Sequence, residues 1–346
     1  MFLKIKNKIE FELSRYIRSI DKLYSLSKIS PLLYSSINNF ISRKGKRIRP
    51  ILFVVGYLGF VEKPASGLYR SAVALELLHD FLLVHDDIID KSATRRGKPS
   101  MHVMLDKYLE NYKNIKFNGQ DLTIIAGDVM YAMALDSFLS IKEAYPRKEA
   151  AFRKLIQAAL YTGSGEFIEL LYGAKNIDEI TREDIYKIYD LKTADYTFAT
   201  PLCMGALLGG AKKEQIDILF SLGIYLGRAF QIQDDIIGLF GKEGKIGKSN
   251  LTDLKEGKKT ILIWHAYRKS DRKNKSVIKK ILSKGDADKK DLLVIRKIVE
   301  ESGTLKYAER EIASLIKKAE SISSYLKMKP SYKSLLLSYS QEMLSL

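Results

Sequence analysis

Apolar residues recur three and four positions apart along almost the whole chain, the spacing that places side chains on one face of an α-helix. The alternation typical of strands is nearly absent, and the seven prolines are widely spread. The clearest predicted helices cover residues 68–89, 122–139, 150–171, 183–208, 213–240, 262–268 and 292–325. Several are apolar around most of their circumference, as helices in the middle of a large bundle must be. The pattern predicts an all-α protein.

The connections between these helices carry turn residues but no long linker. Pro64 lies in one connection, and glycines punctuate another at residues 241–257. The sequence holds no stretch rich in Pro, Gly or Ser that would separate two domains, and no short-period repeat. We therefore expect one domain over residues 1–346, with motifs in residues 40–265 and further helices to residue 346.

Composition excludes several classes of protein. With 46% hydrophobic and 29% charged residues, the chain is expected to fold. The single cysteine, Cys203, and four histidines without a CxxC motif exclude a disulfide framework and a zinc site. No stretch approaches the roughly 20 apolar residues of a membrane span, and the N-terminus lacks a signal-peptide core. We expect a cytoplasmic protein.

The formal net charge of +17 favours anionic partners. The densest basic segment, residues 268–290, holds no aromatic residue on which a base could stack. A solvated surface is therefore expected there, and no nucleic acid as partner. A transient contact with an anionic membrane surface stays open.

Three aspartates end an apolar helix at Asp86-Asp87-Ile88-Ile89-Asp90. Helical geometry places Asp86 and Asp90 on one face, a turn apart. Two carboxylates 4 Å apart repel by about 4 kcal/mol at the effective dielectric of a protein surface. Mg²⁺ would remove this conflict, since it prefers one or two carboxylates together with water and phosphate oxygens. The alternative is a solvated helix end with capping acids.

A second pair of aspartates, Asp234-Asp235, occurs in another apolar helix about 150 residues later. Two such helices facing each other would form a deep cavity with both acidic clusters at its mouth. Metals held there could clamp a diphosphate from both sides. Basic residues suited to phosphate oxygens accompany both clusters: Lys46, Arg47, Arg49, Arg95, Arg96, Lys192, Lys248 and Lys258. The pattern predicts two phosphorylated substrates, one bridged by metal and one held by basic side chains.

With these motifs the chain resembles the trans-polyprenyl diphosphate synthase family, and is most similar to the archaeal-type geranylgeranyl diphosphate synthases. The first aspartate motif is followed by Arg95-Arg96-Gly97, and the second is preceded by Leu226-Gly227 and Phe230-Gln231. The other blocks occur in order: Gly45 to Pro50, Gly127-Asp128, Lys192-Thr193-Ala194, Gly247-Lys248 and Asp253 to Thr260. The resemblance implies the isoprenoid synthase fold, a single-domain helical bundle around a central cavity, and a homodimer.

Two positions depart from the family pattern. Lys44 replaces the first of two glycines, and Gly238 replaces a third aspartate of the second motif. The glycine variant also occurs among short- and medium-chain synthases, and it leaves Asp234 as the main metal ligand of that motif.

The resemblance also implies roles for individual residues. About three Mg²⁺ ions, which Mn²⁺ can replace, would bind Asp86, Asp90 and Asp234, with Asp87 and Asp235 as further candidates. The allylic diphosphate would bind Arg95, Lys192, Thr193, Gln231, Lys248 and Lys258. Isopentenyl diphosphate would bind Gly45, Lys46, Arg49, His79 and Arg96. The catalytic set would be Asp86, Asp90, Asp234, Lys192, Thr193 and Gln231.

The implied activity is head-to-tail condensation of an allylic diphosphate with isopentenyl diphosphate. In the family, an aromatic residue five positions before the first motif is typical of a C20 product. Phe81 is that residue here and would form the floor of the cavity. A C15 or C25–C30 synthase is the alternative, followed by a class I terpene cyclase, a non-catalytic synthase subunit and a basic nucleic-acid binder.

Overall fold

Helices form nearly all of the regular structure in the computed structural model, which describes residues 1–241 and 250–344. The helices up to the middle of the chain are α1 (Phe2–Tyr24), α2 (Leu26–Ile29), α3 (Pro31–Ile41), α4 (Ile48–Leu58), α5 (Leu68–Ile89), α6 (Met101–Leu109), α7 (Gly119–Phe138) and α8 (Tyr145–Ala174). A hairpin of β1 (Thr94–Arg95) and β2 (Lys98–Pro99) lies between α5 and α6 in the chain.

The later helices begin with a 3₁₀ turn at Ile177–Glu179. They continue as α9 (Arg182–Tyr189), a π-helix (Asp190–Ala199), α10 (Thr200–Leu208), α11 (Lys213–Phe240), α12 (Thr252–Lys255), α13 (Ile261–Lys269), α14 (Arg272–Leu282), α15 (Lys289–Glu301), α16 (Thr304–Ser323) and α17 (Pro330–Leu344). In the described ranges, each helix is too short or too polar to cross a membrane.

The prediction of an all-α protein is confirmed, with two differences in detail. The helix expected over residues 292–325 is interrupted at Gly303, whose φ of 72° ends α15 and precedes α16. The helix expected over residues 183–208 changes its hydrogen-bond pattern, because a π-helix lies between α9 and α10. Apolar periodicity cannot reveal the break at Gly303 or the π-helix, because the buried face stays apolar in both places.

The chain divides into two compact units. The first comprises Met1–Phe152 and Met204–Gly210, and the second comprises Arg153–Cys203 and the chain from Ala211 onward. Helices α8 and α10 contribute residues to both units. The single domain over residues 1–346 and its central cavity stay predictions.

Helix α5 is the central helix of the first unit. It packs against α1, α4, α6 and α7, and four successive residues, Ala72, Val73, Ala74 and Leu75, are completely buried. Burial on every side requires an apolar circumference, which explains why this segment shows little amphipathic character. The first aspartate motif lies at the C-terminal end of this helix.

In the second unit, α11 packs closely against the π-helix. A Cβ atom on Gly223 would lie 2.4 Å from the Cα of Ala199, and one on Gly227 would lie 2.3 Å from the Cα of Ala194. Real Cβ atoms do not approach a backbone atom so closely, so only glycine fits at these positions. The two glycines therefore set the distance between the helices that carry Thr193 and Gln231.

We expect Gly227→Ala to destabilise the protein by about 1–3 kcal/mol, because the added methyl group overpacks the contact with the π-helix. Gly163→Ala is the matched control, since Gly163 lies within α8 with open space around its Cβ position. Alanine should be neutral or stabilising there, by up to about 1 kcal/mol. Urea unfolding measures both variants, and equal stabilities would contradict the close contact.

Candidate active site

The three carboxylates of the first aspartate motif differ in their exposure to solvent. Asp86 and Asp90 are both partly exposed, and a carboxylate oxygen of one lies within 4.8 Å of an oxygen of the other. Asp87 is completely buried. Asp86 and Asp90 thus form an acidic group that could bind a metal ion, with the hard oxygen ligands that Mg²⁺ prefers. Asp87 lies apart from this pair on the helix.

Arg95 binds the buried member of the motif. Its Nε donates to Asp87 Oδ1 at 2.7 Å, and its Nη2 donates to Asp86 Oδ2 at 3.3 Å. Burial raises the pKa of Asp87 to about 6, and the charge of Arg95 opposes that rise. Arg95 thereby fixes the orientation of the motif, while its predicted contact with a diphosphate stays a prediction.

A tight turn positions Arg95 and Arg96. Arg96 and Gly97 have φ values of 53° and 72°, and Thr94 pairs with Pro99 while Arg95 pairs with Lys98. A two-residue hairpin loop with both φ values positive is a type I′ turn, in which glycine is favoured. The turn brings both arginines close to α5.

Arg96 reaches two acidic residues further along α5. Its Nη2 lies 3.2 Å from Glu76 Oε1 and 3.0 Å from Asp80 Oδ1. Glu76 also pairs with the buried Arg47, whose Nε donates to Glu10 Oε1 at 2.8 Å. Burial acts to raise the pKa of Glu76, but Arg47 and Arg96 outweigh it and hold that pKa below its usual value.

The structure brings together most of the residues predicted to bind isopentenyl diphosphate, all within the first unit. A Cβ on Gly45 would lie 3.6 Å from Cζ of Arg96. Burial lowers the pKa of His79, and the charges of Arg49 and Arg96 lower it further. Lys46 is exposed and lies two residues before α4.

The second unit holds the remaining candidates. Lys192 lies in the π-helix and pairs with Glu166 and Glu169 of α8. A Cβ on Gly165 would lie 2.9 Å from Cγ of Lys192, so α8 and the π-helix are in close contact. π-helical turns are frequent at functional sites. Here the wider turn carries both Lys192 and Thr193.

A chain of hydrogen bonds joins the π-helix to the second aspartate motif. Thr193 Oγ1 donates to Gln231 Oε1 at 2.6 Å, and Gln231 Nε2 donates to Asp235 Oδ1 at 2.9 Å. Asp235 is buried, whereas Asp234 is exposed. Burial raises the pKa of Asp235 to about 8, and the hydrogen bonds from Tyr189 and Gln231 oppose that rise. The geometry fits the preference for Asp234 as the metal ligand.

Two features lie near the end of the second motif. A Cβ on Gly238 would lie 3.4 Å from Asp253 Oδ2, so Asp253 approaches the position of the third aspartate that this chain lacks. Lys258 lies 2.6 Å from Glu256 and 3.9 Å from Asp253. Lys248 lies outside the described residues.

Phe81 lies inside the first unit, between α5 and α7. Its ring is 4.8 Å from the ring of His85, edge to face, and 5.2 Å from the ring of Tyr131. A Cβ on Gly127 would lie 2.4 Å from Cε1 of His85. Gly127 therefore leaves room for the ring of His85 next to α7, beside Phe81.

Sequence reasoning missed the acidic partners of the basic residues. Glu76 and Asp80 lie on nearly the same face of α5 as Asp87, because separations of four and eleven residues correspond to about one and three turns. The signal available in the sequence was the helical spacing of Glu76 and Asp80 within an apolar segment. Glu166, Glu169 and Tyr189 gave no comparable signal, because their partners are distant in sequence.

Comparisons with known proteins give the family. The polyprenyl synthetase model matches residues 30–300. The chain is 33% identical over 287 residues to the short chain isoprenyl diphosphate synthase of Methanocaldococcus jannaschii, covering 83% of this chain and 78% of that protein. It is 31% identical to the geranylgeranyl diphosphate synthase of Sulfolobus acidocaldarius, covering 82% and 81%.

The fold is also shared with a solved structure, that of geranylgeranyl pyrophosphate synthase from Corynebacterium glutamicum complexed with isoprenyl diphosphate and magnesium. The TM-score is 0.89 at 24% identity, over 99% of this chain and 98% of that one. The chain therefore belongs to the polyprenyl synthetase family. It is a prenyltransferase of isoprenoid biosynthesis. The family acts on isopentenyl diphosphate and an allylic diphosphate and uses Mg²⁺ at an aspartate-rich site.

Asp80 gives a prediction about pH. Burial, and then the charge of Glu76, raise its pKa to about 8 from 3.8, so the folded protein keeps a proton that the unfolded chain releases. Stability should therefore fall as pH rises between about 4 and 8. Asp80→Asn cannot lose a proton, so its stability relative to the parent should increase by more than about 1 kcal/mol between pH 5 and pH 9.

Urea unfolding at several pH values measures this difference. The control is Asp286→Asn, because Asp286 is on the surface, and its effect should not vary with pH. A constant difference between Asp80→Asn and the parent would show that Asp80 is ionised throughout.

Proposed function

We propose that this enzyme condenses an allylic diphosphate with isopentenyl diphosphate in a 1′-4 linkage and makes mainly geranylgeranyl diphosphate. The observation that carries the proposal is the arrangement along α5 and its neighbours. The partly exposed pair Asp86 and Asp90 lies at the end of the helix. Arg49, His79 and Arg96 belong to the same unit, where Arg96 lies next to Gly45. The aspartate pair suits a diphosphate bridged by metal ions, and the basic residues suit a diphosphate held without metal.

We assign about three Mg²⁺ ions, or Mn²⁺ in their place, to Asp86, Asp90 and Asp234. Their chemistry when bound is to neutralise the negative charge of the allylic diphosphate, so that it leaves more easily. Asp87 and Asp235 are buried, which favours a role in orienting their neighbours. The exposure of Asp86, Asp90 and Asp234 supports this division.

The protein's own residues would act by position and charge. Arg95, Lys192, Lys248 and Lys258 hold the diphosphate as its C–O bond breaks and it departs with the bonding electrons. Gly45, Lys46, Arg49, His79 and Arg96 hold isopentenyl diphosphate, whose double bond attacks the allylic carbon. The new C–C bond leaves a tertiary cation, and loss of a proton to the departed diphosphate completes the product. Thr193 and Gln231 face the positive charge.

The other functions considered are less well supported. A class I terpene cyclase needs no site for isopentenyl diphosphate, and a non-catalytic subunit typically loses aspartates of the first motif. The proposed homodimer is supported by large apolar side chains that are exposed in each unit, Ile124 and Ile125 on α7 and Leu160 and Phe167 on α8. The cytoplasmic location stays a prediction.

Asp86→Ala or Asp90→Ala should lower kcat by at least about 100-fold. Loss of a residue that only supports a metal ligand typically costs 10–100-fold, and loss of the ligand itself should cost more. Asp87→Ala and Asp235→Ala should retain more activity. The assay is incubation with labelled isopentenyl diphosphate, an allylic primer and Mg²⁺, followed by sizing of the products.

Asp286→Ala removes a surface carboxylate as the control and should keep full activity. Chelation of the divalent ions should abolish turnover, and added Mg²⁺ or Mn²⁺ should restore it. A parent protein without condensing activity would refute the proposed function, and full activity of Asp86→Ala would refute the metal assignment.

Phe81→Ala should lengthen the product beyond C20, because a smaller side chain leaves space for the chain to grow past His85 and Tyr131. Leu82→Ala is the comparison, since it removes a neighbouring side chain that points about 100° away on the same helix. It should leave the product length unchanged. A parent that stops at C15, or unchanged products from Phe81→Ala, would rule out Phe81 as the floor.

A further inference from the structure

Tyr189 is a buried residue at the end of α9 whose hydroxyl group joins two parts of the second unit. It donates to Asp235 Oδ2, and it accepts from the backbone N–H of Ile261 at 2.9 Å. Ile261 is the first residue of α13, so its N–H has no carbonyl partner within that helix. A side-chain oxygen from a different helix satisfies this group.

The direction of these hydrogen bonds follows from the backbone N–H of Ile261, which cannot change from donor to acceptor. A backbone N–H only donates, so the oxygen of Tyr189 accepts from Ile261. Its own hydrogen goes to Asp235, whose two oxygens both accept as a carboxylate, the form that the hydrogen bonds from Tyr189 and Gln231 favour. The other oxygen of Asp235 then accepts from the amide nitrogen of Gln231. This contact turns the amide oxygen of Gln231 towards Thr193, whose hydroxyl must donate to it.

The consequence is that the hydroxyl hydrogen of Thr193 points to Gln231, and the lone pairs of its oxygen remain available on the other side. If the Gln231 amide were reversed, Thr193 would accept from it and present a hydrogen instead. A hydrogen aimed at positive charge destabilises it, whereas oxygen lone pairs stabilise it. The direction of the chain therefore matters for a reaction that passes through an allylic cation.

We propose that Tyr189 is a positioning residue of the condensation reaction, because its hydroxyl group fixes the direction of the hydrogen bonds that run through Asp235 and Gln231 to Thr193. The inference rests on the proposed function, in which Thr193 and Gln231 face the developing positive charge. Tyr189 acts through these residues and does not contact the substrate. Closely packed Gly223 and Gly227 hold the two helices at the distance the chain requires.

Tyr189→Phe tests the proposal, because it keeps the buried ring and removes only the hydroxyl group. The value of kcat should fall about tenfold, as expected for one hydrogen bond of ordinary strength. KM for both substrates, and the Kd of a non-ionising allylic thiolodiphosphate, should change less than about twofold, since the interaction matters in the transition state. Tyr267→Phe is the matched control, because it removes another mostly buried hydroxyl bonded to an acid, Asp178.

A double-mutant cycle separates positioning from a general loss of structure. In Thr193→Val, which lacks the hydroxyl, adding Tyr189→Phe should have little further effect on kcat, because the chain already ends before Thr193. In Thr193→Ser, which keeps the hydroxyl, adding Tyr189→Phe should again lower kcat about tenfold. Circular dichroism and unfolding midpoints establish that every variant is folded at the assay temperature.

The outcomes are distinct. Equal kcat for Tyr189→Phe and the parent, or equal losses in the Val and Ser backgrounds, would overturn the positioning role while leaving the proposed function intact. A parent protein without condensation would overturn both. If Tyr189→Phe does not fold while Tyr267→Phe does, the hydroxyl group has a structural role and the inference is wrong.

Discussion

The pairing of buried carboxylates on α5 is the constraint on which the first unit depends. Unpaired buried charge costs several kcal/mol, so each acid inside the apolar helix needs a cation or a proton. Glu76 has Arg47 and Arg96, Asp87 has Arg95, and Asp80 keeps a proton near neutral pH. The arginines therefore hold α4 and the β-hairpin against α5. The same contacts orient residues predicted to bind phosphate.

This arrangement links stability to function through shared residues. Arg96 neutralises Glu76 and lies next to Gly45, and both Arg96 and Gly45 are predicted to bind isopentenyl diphosphate. A guanidinium already fixed by buried acids loses little conformational entropy when a phosphate binds. The buried acids thus pre-organise the basic groups. In the second unit, Glu166 and Glu169 form ion pairs with Lys192 and orient it in the same way.

Sequence patterns identified the helices and the ends of the motifs, but not the contacts between them. Residues 68–89 were predicted as a helix with the bounds that α5 has, because an apolar run with aspartates at its end is a local signal. The π-helix and the close contact at Gly227 were not predicted, since both depend on the neighbouring helix. Tyr189 was missed for the same reason: its partners, Asp235 and Ile261, are 46 and 72 residues away.

In each unit a glycine allows a close contact beside a predicted site residue. Gly127 allows His85 to lie against α7, one residue from Asp86, and Gly227 allows Ala194 to lie against α11, one residue from Thr193. In both units a predicted site residue therefore lies one position from a close contact, made by the His85 ring in the first unit and by the Ala194 backbone in the second. Such close-packed contacts allow little movement. The proposed reaction needs such a fixed frame, because it depends on how the bound groups are positioned relative to one another.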